Sequence, residues 1–288
     1  VEDGCVNFCT YCIIPYARGA IRSLPLDTAV QQVKELRQQG YREVVVTGIE
    51  ISSWGADLKN GQKPQDLIFA ICQAVPEMRV RLGSLEPRTV DAAFCDTLKN
   101  CRNLCPQFHL SLQSGCDATL QRMHRKYSTE RYLESCRLLR ESFPNCAITT
   151  DLIVGFPQET EEEFSETLAF LKKAQFAAMH IFPYSRRTGT PAAEMPGQIP
   201  QAEKEHRAAR AAEVEAALRE NYQKGFIGAT MPVLFEQKDA QGRWTGHTAN
   251  YILVAVESDQ DLHNQILDVA ITGWEPHGLC GSLNHTEA

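Results

Sequence analysis

The apolar positions of this chain switch period again and again. Leu26, Val30, Val33 and Leu36 recur at helical spacing and are stopped by Gly40. The run EVVVT at 43–47 then predicts a buried strand that ends at Gly48. The exchange continues with helices predicted over 64–75, 90–99 and 129–141, and strands over 79–85, 107–112, 146–154 and 178–184. Thr160-Glu161-Glu162-Glu163 is a capping box whose acidic first turn suits the helix dipole, and Phe164, Leu168 and Leu171 form the stripe behind it. Strands alternating with helices imply a parallel sheet covered by helices. Five strands follow Cys12; the partner expected before Cys5 is absent, because only four residues precede that cysteine.

A long helix is predicted over 201–224. Beyond it, short strands at 232–236, 245–248, 251–256 and 266–271, separated by Gly and Asp turns, read as a small all-β barrel. The expected organisation is two domains, residues 1–222 and 223–288. No segment approaches the roughly 18 apolar residues of a membrane helix, and the acidic start Val1-Glu2-Asp3 lacks a secretory h-region. The expectation is a cytoplasmic protein with no membrane partner.

Composition narrows this only a little. With 43% hydrophobic and 23% charged residues the chain of 288 is a folded globular one. Its net charge of −7 excludes a generally basic nucleic-acid coat, though not a local basic face. Eleven cysteines, odd in number and unevenly spaced, point to reduced thiols, some of them metal ligands.

The sharpest chemical signal is Cys5-x-x-x-Cys9-x-x-Cys12. Three thiolates on one loop can cap three irons of a [4Fe–4S] cube and leave the fourth open, whereas structural zinc wants four ligands and no fourth Cys or His lies near. A chance triplet of packed thiols is the competing reading. Tyr11 supplies an aromatic wall beside the loop.

The triplet ahead of an alternating α/β pattern resembles the radical S-adenosylmethionine enzymes. The segments Cys12-Ile13-Ile14-Pro15-Tyr16-Ala17-Arg18-Gly19, His109-Leu110-Ser111-Leu112-Gln113-Ser114-Gly115, Asp151-Leu152-Ile153-Val154-Gly155-Phe156-Pro157 and Pro183-Tyr184-Ser185-Arg186-Arg187-Thr188-Gly189-Thr190 resemble the methylthiotransferases of that group. Thr47-Gly48-Ile49-Glu50-Ile51-Ser52-Ser53-Trp54-Gly55 and Gly83-Ser84-Leu85-Glu86-Pro87 are similar to the branch acting on threonylcarbamoyladenosine in tRNA. The C-terminal β piece resembles the RNA-holding TRAM domain. Gln158, Thr188 and Val6 depart from frequent family residues.

The resemblance implies a partial (βα)6-type barrel lacking most of its first strand, followed by a TRAM-like β-barrel. It implies one [4Fe–4S] cluster on Cys5, Cys9 and Cys12, with S-adenosyl-L-methionine on the open iron, and a deoxyadenosyl radical that removes hydrogen from C2 of an adenine. Family members carry three more N-terminal cysteines for a second, sulfur-donating cluster; those ligands have no counterpart in this sequence. The implied partners are tRNA and an electron donor such as flavodoxin or ferredoxin.

Further residues carry paired readings. The Thr47-Gly48-Ile49 backbone is expected against the methionine part of S-adenosylmethionine, and Glu50 near its ammonium, with a plain strand-to-loop turn as the alternative. Gln113 and Ser114 are candidates for ribose or base contact, against ordinary loop capping. Asp151 stands in an apolar strand and needs a partner, either a ligand or a buried ion pair. Gly155 lies in the segment that resembles an adenine lining, or serves only its turn. Arg18, Arg125 and Arg187 are the expected RNA-binding cations, with solvated surface charge as the alternative. The function expected is methylthiolation at C2 of N6-threonylcarbamoyladenosine at position 37 of tRNA. The alternatives are an isopentenyladenosine-type enzyme and an RNA-binding remnant without turnover. With so few residues before Cys5, the expectation is also a cluster loop over 8–14 tethered on one side, beside an open sheet edge.

Overall fold

A computed structural model describes residues 1–283. Its main body is a set of parallel strands: β3 (Glu43–Val46) pairs with β4 (Arg79–Leu82), and β5 (Ser84–Leu85), β6 (Gln107–Leu110), β7 (Ala147–Val154) and β8 (Ala178–Pro183) follow in spatial order. The single strand expected over 79–85 is two strands, β4 and β5, interrupted at Gly83. A Cβ there would stand 2.6 Å from Thr47 Oγ1, so the close approach of the β3 end requires glycine. A bridge from Val80 to Leu104 keeps the third strand in line with the first two.

Period-two alternation decides the faces. Val46, Val80, Leu82, Phe108, Leu110, Ile148, Leu152 and Val154 join one apolar cluster with Ala29 and Val33 of helix Leu26–Gln38 and Ile68 and Ile71 of helix Pro64–Ala74. The opposite face, carrying Glu43, Arg79, Arg81, Gln107, His109, Thr149, Asp151 and His180, lines the lumen of an incomplete barrel.

The front of the chain is better held than expected. β1 (Glu2–Asp3) pairs antiparallel with β2 (Arg22–Ser23), while Glu2 bridges Gly48 in parallel. The Val1 nitrogen donates to the Thr47 carbonyl at 2.8 Å. The edge of β3 expected to stand open is thus partly covered at its C-terminal end, although Val45 remains 52% exposed.

Helix Gln201–Lys224 leads into a closed barrel of order β10-β11-β13-β12-β9, built from β9 (Thr230–Lys238), β10 (Trp244–Thr248), β11 (Leu253–Val256), β12 (Ile266–Glu275) and β13 (Gly278–Leu283). The helix runs through the boundary expected at residue 222. Val233, Phe235, Val254, Val269, Ile271 and Leu279 fill the interior of the barrel.

This small barrel closes the N-terminal end of the larger sheet, where β3 and β4 begin. Arg79 donates to the carbonyls of His247 and Pro232 at 3.0 and 2.8 Å. Arg81 donates to the Ala249 carbonyl at 2.9 Å and forks onto Glu43 at 2.7 and 3.0 Å. Its side chain is only 4% exposed, so the pair is desolvated and removal of one partner strands the other. Arg81→Leu is expected to destabilise the chain by about 3–5 kcal/mol and to separate the urea unfolding of the two barrels. The double variant with Glu43→Leu should recover part of the loss. A single unchanged transition in Arg81→Leu would show that the latch contributes nothing.

Candidate active site and cofactor pocket

The cysteine loop lies at the C-terminal end of the strands, where parallel α/β proteins bind ligands. It leaves β1 through Gly4, whose φ of +87° and whose Cβ position, 2.1 Å from the Ala20 carbonyl oxygen, admit only glycine. Cys5 N–H donates to the Gly19 carbonyl, and Cys12 N–H to that of Cys9. Thr10 is fixed three times: its N–H donates to Met123 O at 3.1 Å, its hydroxyl to Arg122 O at 2.8 Å, and its carbonyl accepts from Ala192 N–H at 2.8 Å. The one-sided tether expected for this loop is therefore corrected. Two segments distant in sequence pin it, and short β1 does not carry the load alone.

Cys5, Cys9 and Cys12 line one cavity of about 150 Å³, together with Tyr11, Ile49, Glu50, Glu86, Gln113 and Arg125. Burial pushes the Cys5 thiol up to about 11 and raises that of Cys12 as well. Such thiols stay protonated near neutrality until a metal takes the proton's place. Among the described residues no three Cys, His, Asp or Glu side chains converge as they would around one metal ion. The three thiols nevertheless line one cavity whose wall has no fourth Cys or His, and structural zinc takes four such ligands. The donor set thus fits a cluster with three protein ligands.

Charge in the cavity is split. Glu50 is held by Asn7 Nδ2 and stands 3.8 Å from Cys5 Sγ; burial, then the neighbouring Glu86 charge, raise its carboxyl above the usual range. Arg125 donates through Nη1 to Cys9 Sγ at 3.2 Å and through Nε to the Tyr127 hydroxyl at 3.1 Å, with its guanidinium 4.8 Å from the Tyr127 ring centre. Tyr127 in turn donates to the carbonyls of Ser111 and Leu112, both at 2.6 Å, which anchors the arginine to the end of β6.

A second cavity of about 390 Å³ adjoins the first across Tyr11, Cys12 and Gln113, and continues along Asp151, Ile153, Phe182, Tyr184 and Arg187. Gln113 is shared because its φ of +69° turns it out of β6 and into a bridge with Leu152 of β7. Asp151 Oδ2 sits 3.3 Å from His109 Nε2 within the lumen.

The structure thus brings together the three cysteines, Tyr11, Ile49, Gln113, Asp151 and Arg187. It places others elsewhere. The Thr47 carbonyl accepts from the Val1 nitrogen, the Ile49 N–H donates to the Glu2 carbonyl, and Gly48 packs on Glu2. Ser114 is fully buried, 3.4 Å from the Thr167 hydroxyl, and lines neither cavity. Gly155, at φ +67°, donates to Glu159 in a turn closed by the buried Glu159–Arg207 pair. Arg18 is on the surface near Asp3. Arg125, expected among the RNA-binding cations, donates to Cys9 Sγ and lines the first cavity. Sequence reasoning did not place Arg125 and Glu86 in the wall of the three-thiol cavity, nor His109, His180 and Phe182 on the lumen face. The signal for the lumen set was available: these residues alternate with core positions along β6 and β8.

The Radical SAM superfamily matches residues 2–171. Together with the parallel sheet and the three-thiol pocket at its C-terminal end, this shows that the chain belongs to that superfamily. Its relatives are more particular. It is 36% identical over 285 residues to the tRNA-2-methylthio-N(6)-dimethylallyladenosine synthase of Acetivibrio thermocellus, covering 98% of this chain and 59% of the relative. It is 34% identical over 275 residues to the threonylcarbamoyladenosine tRNA methylthiotransferase MtaB of Bacillus subtilis, covering 94% and 61%. The MtaB protein of Thermotoga maritima is 38% identical over 253 residues, covering 88% and 58%. The chain therefore spans about three-fifths of the length of these curated relatives. Among solved structures, the radical S-adenosylmethionine methyltransferase TsrM of Kitasatospora setae has a TM-score of 0.57 at 18% identity, covering 67% of this chain and 37% of that one. Methylornithine synthase has a TM-score of 0.54 at 13% identity, covering 77% and 67%. These two likenesses establish the fold. Among the described residues no helix is long and apolar enough to cross a membrane.

Proposed function

We propose that this chain is the radical S-adenosylmethionine and RNA-holding part of a tRNA methylthiotransferase that acts on C2 of N6-threonylcarbamoyladenosine at position 37. The observation that carries the reading is the first cavity, where three thiols share a wall with Glu50 and Arg125. When bound, the cluster and S-adenosylmethionine supply the 5′-deoxyadenosyl radical chemistry.

The residues of the chain do the positioning. Cys5, Cys9 and Cys12 hold three corners of the cluster. Glu50 and Arg125, opposite in charge within one small cavity, match the ammonium and carboxylate of an amino acid. Gln113 and Tyr11, shared by both cavities, sit where the ligand passes from one to the other. The small barrel and exposed arginines such as Arg18 and Arg187 are the RNA-holding elements, acting through a few local cations because the net charge of −7 gives no general attraction. Both substrate types occur among the relatives; the segment Thr47–Gly55, with its resemblance to the threonylcarbamoyladenosine branch, favours that substrate.

The test is to express the complete open reading frame that contains this chain in cells lacking their own threonylcarbamoyladenosine methylthiotransferase. Mass spectrometry of tRNA nucleosides should then show 2-methylthio-N6-threonylcarbamoyladenosine. Appearance of the methylthiolated dimethylallyl nucleoside instead would overturn the substrate assignment, and no methylthio product would overturn the reaction.

A further inference from the structure

The lumen face beside and below the second cavity carries a cluster of polar and aromatic side chains. Strand register puts them side by side: His109 opposite Thr149, Asp151 opposite His180, and Ile153 opposite Phe182. His109 Nδ1 shares a hydrogen bond with the Thr149 hydroxyl at 3.1 Å, and its Nε2 stands 3.3 Å from Asp151 Oδ2. Its orientation is therefore fixed. His180 is exposed, with its ring centre 6.2 Å from that of His109 and 6.4 Å from that of Phe182. No hydrogen-bond partner for its ring occurs among the described residues. Phe182 is 51% exposed on the same face of the edge strand β8. Behind it Tyr184 lines the same cavity, and its hydroxyl is buried without a partner, a condition rare in a finished core.

We propose that His180, opposite Asp151 in the strand register and beside the exposed ring of Phe182, reads the polar N6 substituent of the target adenosine and selects threonylcarbamoyl over dimethylallyl. The inference rests on the tRNA reading above and names the residues that decide its substrate. Phe182 offers an aromatic face for a base to stack on. The threonylcarbamoyl group brings a urea, a hydroxyl and a carboxylate, which can partner both the open oxygen of Asp151 and the free nitrogens of His180. A dimethylallyl group is hydrocarbon and would cover the same groups without partners, which is costly. A site built to hydrogen-bond its substrate rejects an analogue that lacks those groups far better than an apolar pocket rejects an added one. Asp151, Phe182 and Tyr184 line the cavity of about 390 Å³, ample for a base with its side group, and His180 lies just outside that lining, two positions before Phe182 on the same face of β8.

The experiment measures binding of the 288-residue chain to anticodon stem-loops bearing adenosine, N6-dimethylallyladenosine or N6-threonylcarbamoyladenosine at position 37, by fluorescence anisotropy at neutral pH. The threonylcarbamoyl loop should bind about tenfold tighter than the dimethylallyl loop, a difference of about 1.4 kcal/mol. His180→Leu should bring that ratio below about threefold while affinity for the unmodified loop stays the same; His180→Gln should keep part of the preference. His180 is exposed on the sheet-edge strand β8, so both variants are expected to fold, and the unmodified loop reports it. Equal binding of the two modified loops by the wild type, or an unchanged ratio in His180→Leu, would overturn the assignment while leaving the RNA reading standing. Failure to bind any of the three loops would overturn both.

Discussion

Cys9→Ala is expected to leave the chain colourless after anaerobic reconstitution with iron and sulfide, with no cleavage of S-adenosylmethionine. The loop offers one thiolate for each of three corners and none in reserve. The nearest carboxylate, Glu50, is already engaged by Asn7, and among the described residues no other cysteine lines the cavity. Two thiolates on a half-exposed loop do not hold a cube that needs three protein ligands here. The fold should survive, because the loop is fixed through the backbone and hydroxyl of Thr10 and not through the thiols. Circular dichroism should thus be unchanged while the visible absorbance is lost. Full iron content in Cys9→Ala would remove Cys9 from the ligand set.

Arg125→Leu carries the second large effect, and it separates two roles for one residue. Its guanidinium donates to Cys9 Sγ and faces the cavity that holds Glu50. Hydrogen bonds to charged groups contribute about 1.5–3 kcal/mol, so loss of this cation should weaken S-adenosylmethionine binding by about tenfold or more. Removing a positive charge and an N–H···S bond beside the cluster should also move its midpoint potential in the negative direction, read by titration with electron paramagnetic resonance. Stem-loop affinity should not change. If RNA binding fell while S-adenosylmethionine affinity and potential stayed put, Arg125 would be the phosphate contact that its sequence context suggested.

That contrast shows where the sequence was transparent. The strand–helix alternation was legible because each β-run carries apolar residues on one face at period two, and each helix has a stripe and a stop. The ends were less so. The break at Gly83 depends on contact with Thr47, which lies 36 positions earlier in the chain, and no local pattern announces it. β13 was not foreseen because GLCGSL carries glycines where a strand signal would have Val or Ile; tertiary pairing with β11 and β12 holds it instead. Tyr251, expected to begin β11, adopts φ +66° in the turn before it.

The site divides in the same way. Cysteine spacing is a local property, and the three thiols that it singles out line one cavity. Ser114 and Gly155 were expected at the ligand because of the segments they stand in, yet within those segments the alternation turns Ser114 to the helix side, and the Gly155 N–H is spent on Glu159. Arg125 stood among basic residues that read as a rim. Only the fold shows that Tyr127, two positions on, swings its guanidinium inward. The lumen residues come from three strands about 30 to 40 positions apart, so their meeting follows from sheet order and register alone.

The central claim is that this chain, by itself, assembles one cluster that cleaves S-adenosylmethionine. Anaerobic reconstitution followed by iron and sulfide analysis and chromatography for 5′-deoxyadenosine tests it directly. We predict about four irons and four sulfides per chain, 5′-deoxyadenosine formed on reduction with dithionite, and neither in the Cys9→Ala variant. A colourless protein, or one holding about one tightly bound zinc per chain, that makes no 5′-deoxyadenosine would contradict it.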